Sequence, residues 1–152
     1  MNRLLIVPAL LFVILFSLIS MSYLYPNFVT VRIRMGNEKY FYNVICFTLN
    51  ISEERIFDCY YIINITKLKI LNTTYNVSYS FYVFSNSISK EININIPISI
   101  ANKIENYHSV RIEVFIEVII VSSLNTIVKR IYQLYGNFTN NYLEYKRSSL
   151  FI

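Results

Sequence analysis

Tryptophan is absent from the 152 residues, glycine occurs twice, and aspartate and histidine occur once each. Each scarcity closes a class of function. Gly36 and Gly136 stand far apart in the chain, so no glycine-rich loop cradles a phosphate. Three prolines and two glycines exclude collagen-like and Pro/Gly-rich low-complexity sequence. Two cysteines and one histidine cannot complete a four-ligand site of soft donors, and a blue-copper site would need a second histidine. No metal or other cofactor is therefore expected. Charge is also scarce, at 15% of residues, while 55% belong to the hydrophobic set. That balance excludes a disordered chain.

Isoleucine, asparagine and tyrosine are abundant, at 25, 17 and 14 residues, with 11 phenylalanines besides. An AT-rich coding sequence would favour the first three, so their positions carry more information than their numbers. Arg3 is followed by an uncharged run from Leu4 to Met21, interrupted only by Pro8, Ser17 and Ser20. A basic start ahead of an apolar stretch is what the secretion machinery reads. Small residues at Ser20 and Ser22 form a cleavage signature that would leave a mature chain starting at Tyr23. The competing expectation is an uncleaved signal anchor, a single transmembrane helix near the lower length limit for a span. A pilin-type cut is disfavoured, because only three residues precede Leu4. The expected organisation is thus residues 1–22 as signal peptide or signal anchor and 23–152 as one extracytoplasmic domain, secreted or held at a cell or virion surface.

Beyond Ser22 the hydrophobic period is two. Val29, Val31 and Ile33 alternate with Thr30, Arg32 and Arg34. Glu91 to Ile100 places Ile92, Ile94, Ile96, Ile98 and Ile100 on one face, and Val110 to Ile120 does the same for six β-branched residues. Such alternation predicts half-buried strands. Weaker runs are Tyr40 to Leu49, Ile56 to Ile65, Lys67 to Asn72 and Val77 to Phe84. Thr126 to Tyr135 reads better as strand than helix. Pro97 demotes its run to an edge or a bulge. Turns are expected at Gly36-Asn37, at Ser52-Glu53-Glu54 and at Ser122 to Asn125. About seven or eight such strands predict an all-β fold, an antiparallel β-sandwich of immunoglobulin-like architecture behind the N-terminal hydrophobic helix.

Cys46 and Cys59 are placed symmetrically about the expected Ser52-Glu53 turn, so a hairpin there would set them face to face. Two cysteines in an exported chain most often pair. Such a disulfide, closing a loop of about 15 residues, would contribute about 3 kcal/mol.

Catalytic candidates are few. His108 and Ser109 are adjacent, and neighbours on a strand point to opposite faces. Glu113 and Glu117 share a face, but four strand residues separate them by ~13 Å, beyond the roughly 5–9.5 Å of paired glycosidase carboxylates. A solvated outer face shared with Arg111 accounts for them, and no enzyme is expected.

Surface chemistry remains. Asn50, Asn64, Asn72, Asn76 and Asn137 each begin an Asn-x-Ser/Thr triplet, a modest excess over chance, and in an exported chain they are acceptors for N-glycosylation. The net charge of +5 is carried by scattered residues, with Arg32 and Arg34 alternating and Lys146-Arg147 the late doublet. Nucleic-acid binding would need a denser basic stripe. Tyrosine tolerates burial and exposure alike, which suits adhesive faces.

In architecture the expected domain resembles small exported β-sandwich subunits of archaeal surface filaments and envelopes, in some of which an extended N-terminal segment completes a neighbour's sheet. That resemblance implies strand exchange by a segment such as Val29, Val31 and Ile33, in place of a first strand in the chain's own sheet. The expected function is non-enzymatic: an exported surface or envelope protein with a structural or adhesive role, self-associating or joined to other envelope proteins, and on the membrane if uncleaved. The alternative is a secreted binding module for a glycan or a protein.

Overall fold

The computed structural model describes residues 3–54, 59–122 and 127–140. Helix α1 (Arg3–Phe28) leads into strands β1 (Thr30–Phe41), β2 (Val44–Glu54), β3 (Cys59–Ile70), β4 (Thr73–Val83) and β5 (Ser87–Asn95). A short helix α2 (Ile98–Ile104) precedes β6 (Ser109–Ser122) and β7 (Ile127–Asn140). The domain is mostly β, as the alternation predicts.

The strands form one seven-stranded sheet in the order β4-β3-β6-β7-β1-β2-β5. Five neighbouring pairs are antiparallel, and β1 runs parallel to β7. Among the described residues, β1 pairs with β7 at Lys39↔Thr139 and Tyr40↔Asn140. Elsewhere side chains bridge the divide. The Arg130 guanidinium donates to the Val29 carbonyl, and the Tyr132 hydroxyl donates to the Val31 carbonyl at 3.3 Å. The sheet is curled into a half-barrel. β4 and β5 are its two edges, yet only residues 84–86 connect them, so the edges must meet at that end.

Inward-facing side chains fill the curl. On β6 every second residue from Val110 to Ile120 is at most 4% exposed. β3 contributes Tyr61, Ile63, Ile65, Leu68 and Ile70, and the step from Ile65 to Leu68 breaks the period of two. A bulge between Ile65 and Lys67 absorbs the extra residue, returning Leu68 and Ile70 to the inner face. The two short strands expected at 56–65 and 67–72 are therefore one bulged strand. Each such fully buried aliphatic side chain contributes about 1.5–3 kcal/mol.

The N-terminal β segment departs from expectation in its turns. Gly36-Asn37 is a bulge inside β1, where the register shifts between Gly36 and Lys39 and Asn37 takes φ 54°. The chain reverses instead at Tyr42-Asn43, with Tyr42 at φ 53°. β2 continues through Ser52 to Glu54, and the links 55–58 and 123–126 lie outside the described residues. Glu91 to Ile100 is not one strand. Pro97 cannot donate to a ladder, and its carbonyl accepts from the Ile100 and Ala101 amides at 2.9 and 3.1 Å, which starts α2. Ile100, Ala101 and Ile104 then bury one helical face. Thr126 lies outside the described residues, and the rest of its run is strand.

The cysteines are not bridged. Both are free thiols. β2 and β3 are not hairpin partners, because β6, β7 and β1 stand between them in the sheet. Cys46 alternates with the buried Ile45 and Phe47 and so lies on the outer face, whereas Cys59 is in the core. Val29 and Val31 are 2% and 6% exposed in the chain's own core, with Ile33 packed against it.

Among the described residues, no α1 side chain belongs to that core. The large apolar side chains described on α1, from Ile6 to Leu24 and at Phe28, are 44–76% exposed. Among the described residues, no helix is long and apolar enough to cross a membrane.

Candidate functional site

The two ends of the curled sheet differ in chemistry. At the α1 end, Glu53 of β2 and Cys59 and Tyr61 of β3 meet inside the core. The Tyr61 side chain is fully buried, and its oxygen lies 3.1 Å from the Cys59 sulfur. The Glu53 carboxylate, with both oxygens buried, lies against the same hydroxyl. Burial first, then hydrogen bonding to Cys59 and Glu53, pushes the Tyr61 pKa far above the ordinary 10.0. A phenol so held stays protonated at any physiological pH. It serves as a hydrogen-bonded element of the core and not as a base.

At the α2 end a cleft of about 270 Å³ opens between α2 and the β1–β2 turn. Its walls are Tyr42 and Asn43 from the turn and Ile98, Asn102 and Glu105 from α2 and its C-terminal cap. Tyr40 closes the inner side, 3% exposed, its hydroxyl donating to the Ala101 carbonyl at 3.4 Å. The cleft is held from both sides, since the Ile96 amide donates to the Asn43 carbonyl at 2.8 Å. Burial, and secondarily the Glu105 carboxylate, raises the Tyr40 pKa above its usual value.

The outer face carries a polar ladder across four strands. The Ser80 hydroxyl donates to the Asn64 amide oxygen at 2.7 Å, and the Asn64 amide nitrogen donates to Glu117 at 3.0 Å. Glu117 also faces Lys129 at 3.6 Å. One register along, Glu113 accepts from Lys69 at 3.2 Å and from Gln133 at 2.9 Å. Arg111 lies over the Tyr135 ring, 4.9 Å from its centroid. Glu113 and Glu117 are thus occupied with cross-strand partners, each pair contributing a few tenths of a kcal/mol to about 1 kcal/mol.

The structure separates the remaining candidates. His108 is exposed in the α2–β6 link, and Asp58 and Lys146-Arg147 lie outside the described residues. Among the described residues no three His, Cys, Asp or Glu side chains gather as metal ligands. Arg32 pairs with Glu54 at 3.5 Å on the surface. Of the Asn triplets, Asn50, Asn72, Asn76 and Asn137 are exposed, on β2, the β3–β4 turn, β4 and β7. Asn64 is half-buried with both amide atoms engaged, which leaves its nitrogen poorly placed for a glycan.

The period-two reading missed the cleft, because Ile98 and Ile100 were assigned to a strand. The signal was present in Pro97 followed by Ile100, Ala101 and Ile104, a helix start and a helical face.

No protein-family model matches the chain, and no curated protein matches it. A solved structure described as a protein from Archaeoglobus fulgidus is similar over 72% of this chain and 94% of its own, at 11% identity and a TM-score of 0.38.

Proposed function

We propose that the chain is an exported, non-enzymatic surface or envelope protein whose β domain has a structural or adhesive role. The observation that carries this reading is the contrast between α1 and the core. A helix with apolar side chains around its whole circumference needs an apolar surrounding on every side, and among the described residues its side chains stand exposed outside the core cluster, which includes Val29 onward. A signal sequence, read by the export machinery and removed, accounts for a helix built that way. The exposed Asn triplets are then available to glycosylation outside the cell.

The structural or adhesive part rests on β4. This edge strand, TTYNVSYSFYV, has neither charge nor proline over eleven residues. Unprotected edges of this kind pair with other chains, so β4 suits self-association or joining to other envelope proteins. The finer reading of the fold is the immunoglobulin-like sandwich. Among the described residues, β1 and β7 pair at two positions only, between β4-β3-β6-β7 and β1-β2-β5, whose inner faces share one core.

Intact mass with N-terminal sequencing of the protein from its native envelope or medium tests the export reading. A start at Tyr23 is expected, with added mass on peptides holding Asn72 or Asn76. A chain beginning at Met1 or Asn2 in the cytosolic fraction would overturn it.

A further inference from the structure

The geometry points to the α2-end cleft as a binding site for a single neutral sugar ring. This deepens the adhesive reading by naming a ligand class and the place that takes it. At about 270 Å³ the cleft is just under the ~300–1,000 Å³ usual for small-molecule sites, room for one ring and little more.

Its lining divides the way a pyranose does. A sugar has an apolar face of C–H groups and a rim of hydroxyls that both donate and accept. Tyr42 and Ile98, 55% and 69% exposed at the mouth, offer an apolar wall including one aromatic ring. Asn43 and Asn102 each bring an amide that donates and accepts, and Glu105 brings an acceptor. Among the described residues, no basic side chain lines the cleft. Tyr40 and the Ala101 carbonyl already bond each other, fixing the inner side and leaving recognition to the rim.

Among the described residues, two turns of the sheet hold a bulky residue in the left-handed region, Tyr42 at φ 53° and Leu71 at φ 47°. A bulky residue at φ 53° is uncommon. Glycine or asparagine would hold that position with less strain but would give no ring at the mouth.

The test is a titration of the full-length protein with the methyl glycosides of glucose, galactose, mannose and N-acetylglucosamine, followed by NMR. Tetramethylammonium serves as the competing probe, since a tyrosine wall beside a carboxylate also suits an organic cation. The expected result is saturable shifts at residues 42, 98 and 102 with at least one glycoside, with a Kd on the order of 1 mM. Tyr42→Ala and Asn102→Ala should each weaken binding at least tenfold, while Glu105→Gln costs only a few-fold and Tyr42→Phe little. Asn102 is exposed on α2, so its variant keeps the fold if the turn variant does not. Absence of shifts with every glycoside overturns the proposal. So does binding of tetramethylammonium alone, lost in Glu105→Gln, which would make the cleft a cation site. Shifts are read at the cleft, so an uncleaved N-terminus or a monomeric protein counts against the envelope reading and leaves this one standing.

Discussion

The two edges of the sheet are protected unequally. β5 carries Lys90 and Glu91, both exposed, and is followed by Pro97 and α2. Those are the devices by which a sheet edge is kept from pairing with another chain. β4 has none of them. Its outward residues Asn76, Ser78 and Ser80 are polar but uncharged, and its inward residues Tyr75, Val77, Tyr79 and Phe81 are only half-buried. Exposed aromatics extend the strand on the outer face, where the Tyr82 and Phe84 rings stack at 6.2 Å and Tyr60 lies 5.9 Å from Phe84. One fold thus holds an edge with charge and a following proline and an edge with neither, and β4 is where the proposed self-association would add a second chain.

That contrast can be broken or sharpened by substitution. The largest effect is expected from Ser78→Lys, which puts a gatekeeper charge on β4. Assembly measured by sedimentation should weaken by about a hundredfold or more, a loss of about 2.8 kcal/mol or more, with the circular dichroism of the folded chain unchanged. The core separates the edges in the same direction. Ile92→Ala on β5 removes a side chain that is fully buried and should cost about 2–5 kcal/mol in denaturant unfolding. Val77→Ala on β4, where the side chain is half-buried, should cost about 1 kcal/mol.

Alkaline pH probes the closed end. Tyr61 has a raised folded-state pKa, whereas the unfolded chain ionises near 10.0. Its contribution is therefore fully present below pH 10.0 and is lost as pH rises past it, because only the unfolded state releases the proton. Tyr61→Phe should flatten that decline in urea titrations between pH 9 and about 11, leaving the smaller slope due to Tyr40, which shifts the same way. The smallest effect is expected for Cys46→Ser, within about 0.5 kcal/mol, since its thiol is unbridged on the outer face. Treatment with a reductant should leave the melting temperature where it was.

The strands were legible because β-branched residues alternate without interruption: Val110 to Ile120 and Ile92 to Ile94 are where the pattern places them, facing inward. Pairing was not legible. A two-fold period reports which face a residue occupies and is silent on which strand lies alongside, so the symmetry of Cys46 and Cys59 about a supposed turn led to a bridge between opposite faces. Bulges hid in the same way. Gly36-Asn37 has turn chemistry, and that chemistry serves a bulge as well as a reversal. α2 was lost because five isoleucines in alternate positions outweighed Pro97, although proline at the entry to a helix and the Ile100/Ile104 spacing favoured the other reading. The α2-end cleft, built by that helix, was lost with it. Glu113 and Glu117 lie on the outer face, as the period of two places them, but half-buried among cross-strand partners where a solvated face was expected.

The most direct test of the account is sedimentation velocity on the protein isolated from its native envelope or medium, run beside Ser78→Lys and a control, Lys90→Ala, on the guarded edge. The account predicts that the unaltered protein and Lys90→Ala sediment as dimers or larger, while Ser78→Lys sediments as a folded monomer. A monomer in all three, or assembly that survives the lysine on β4, would contradict it.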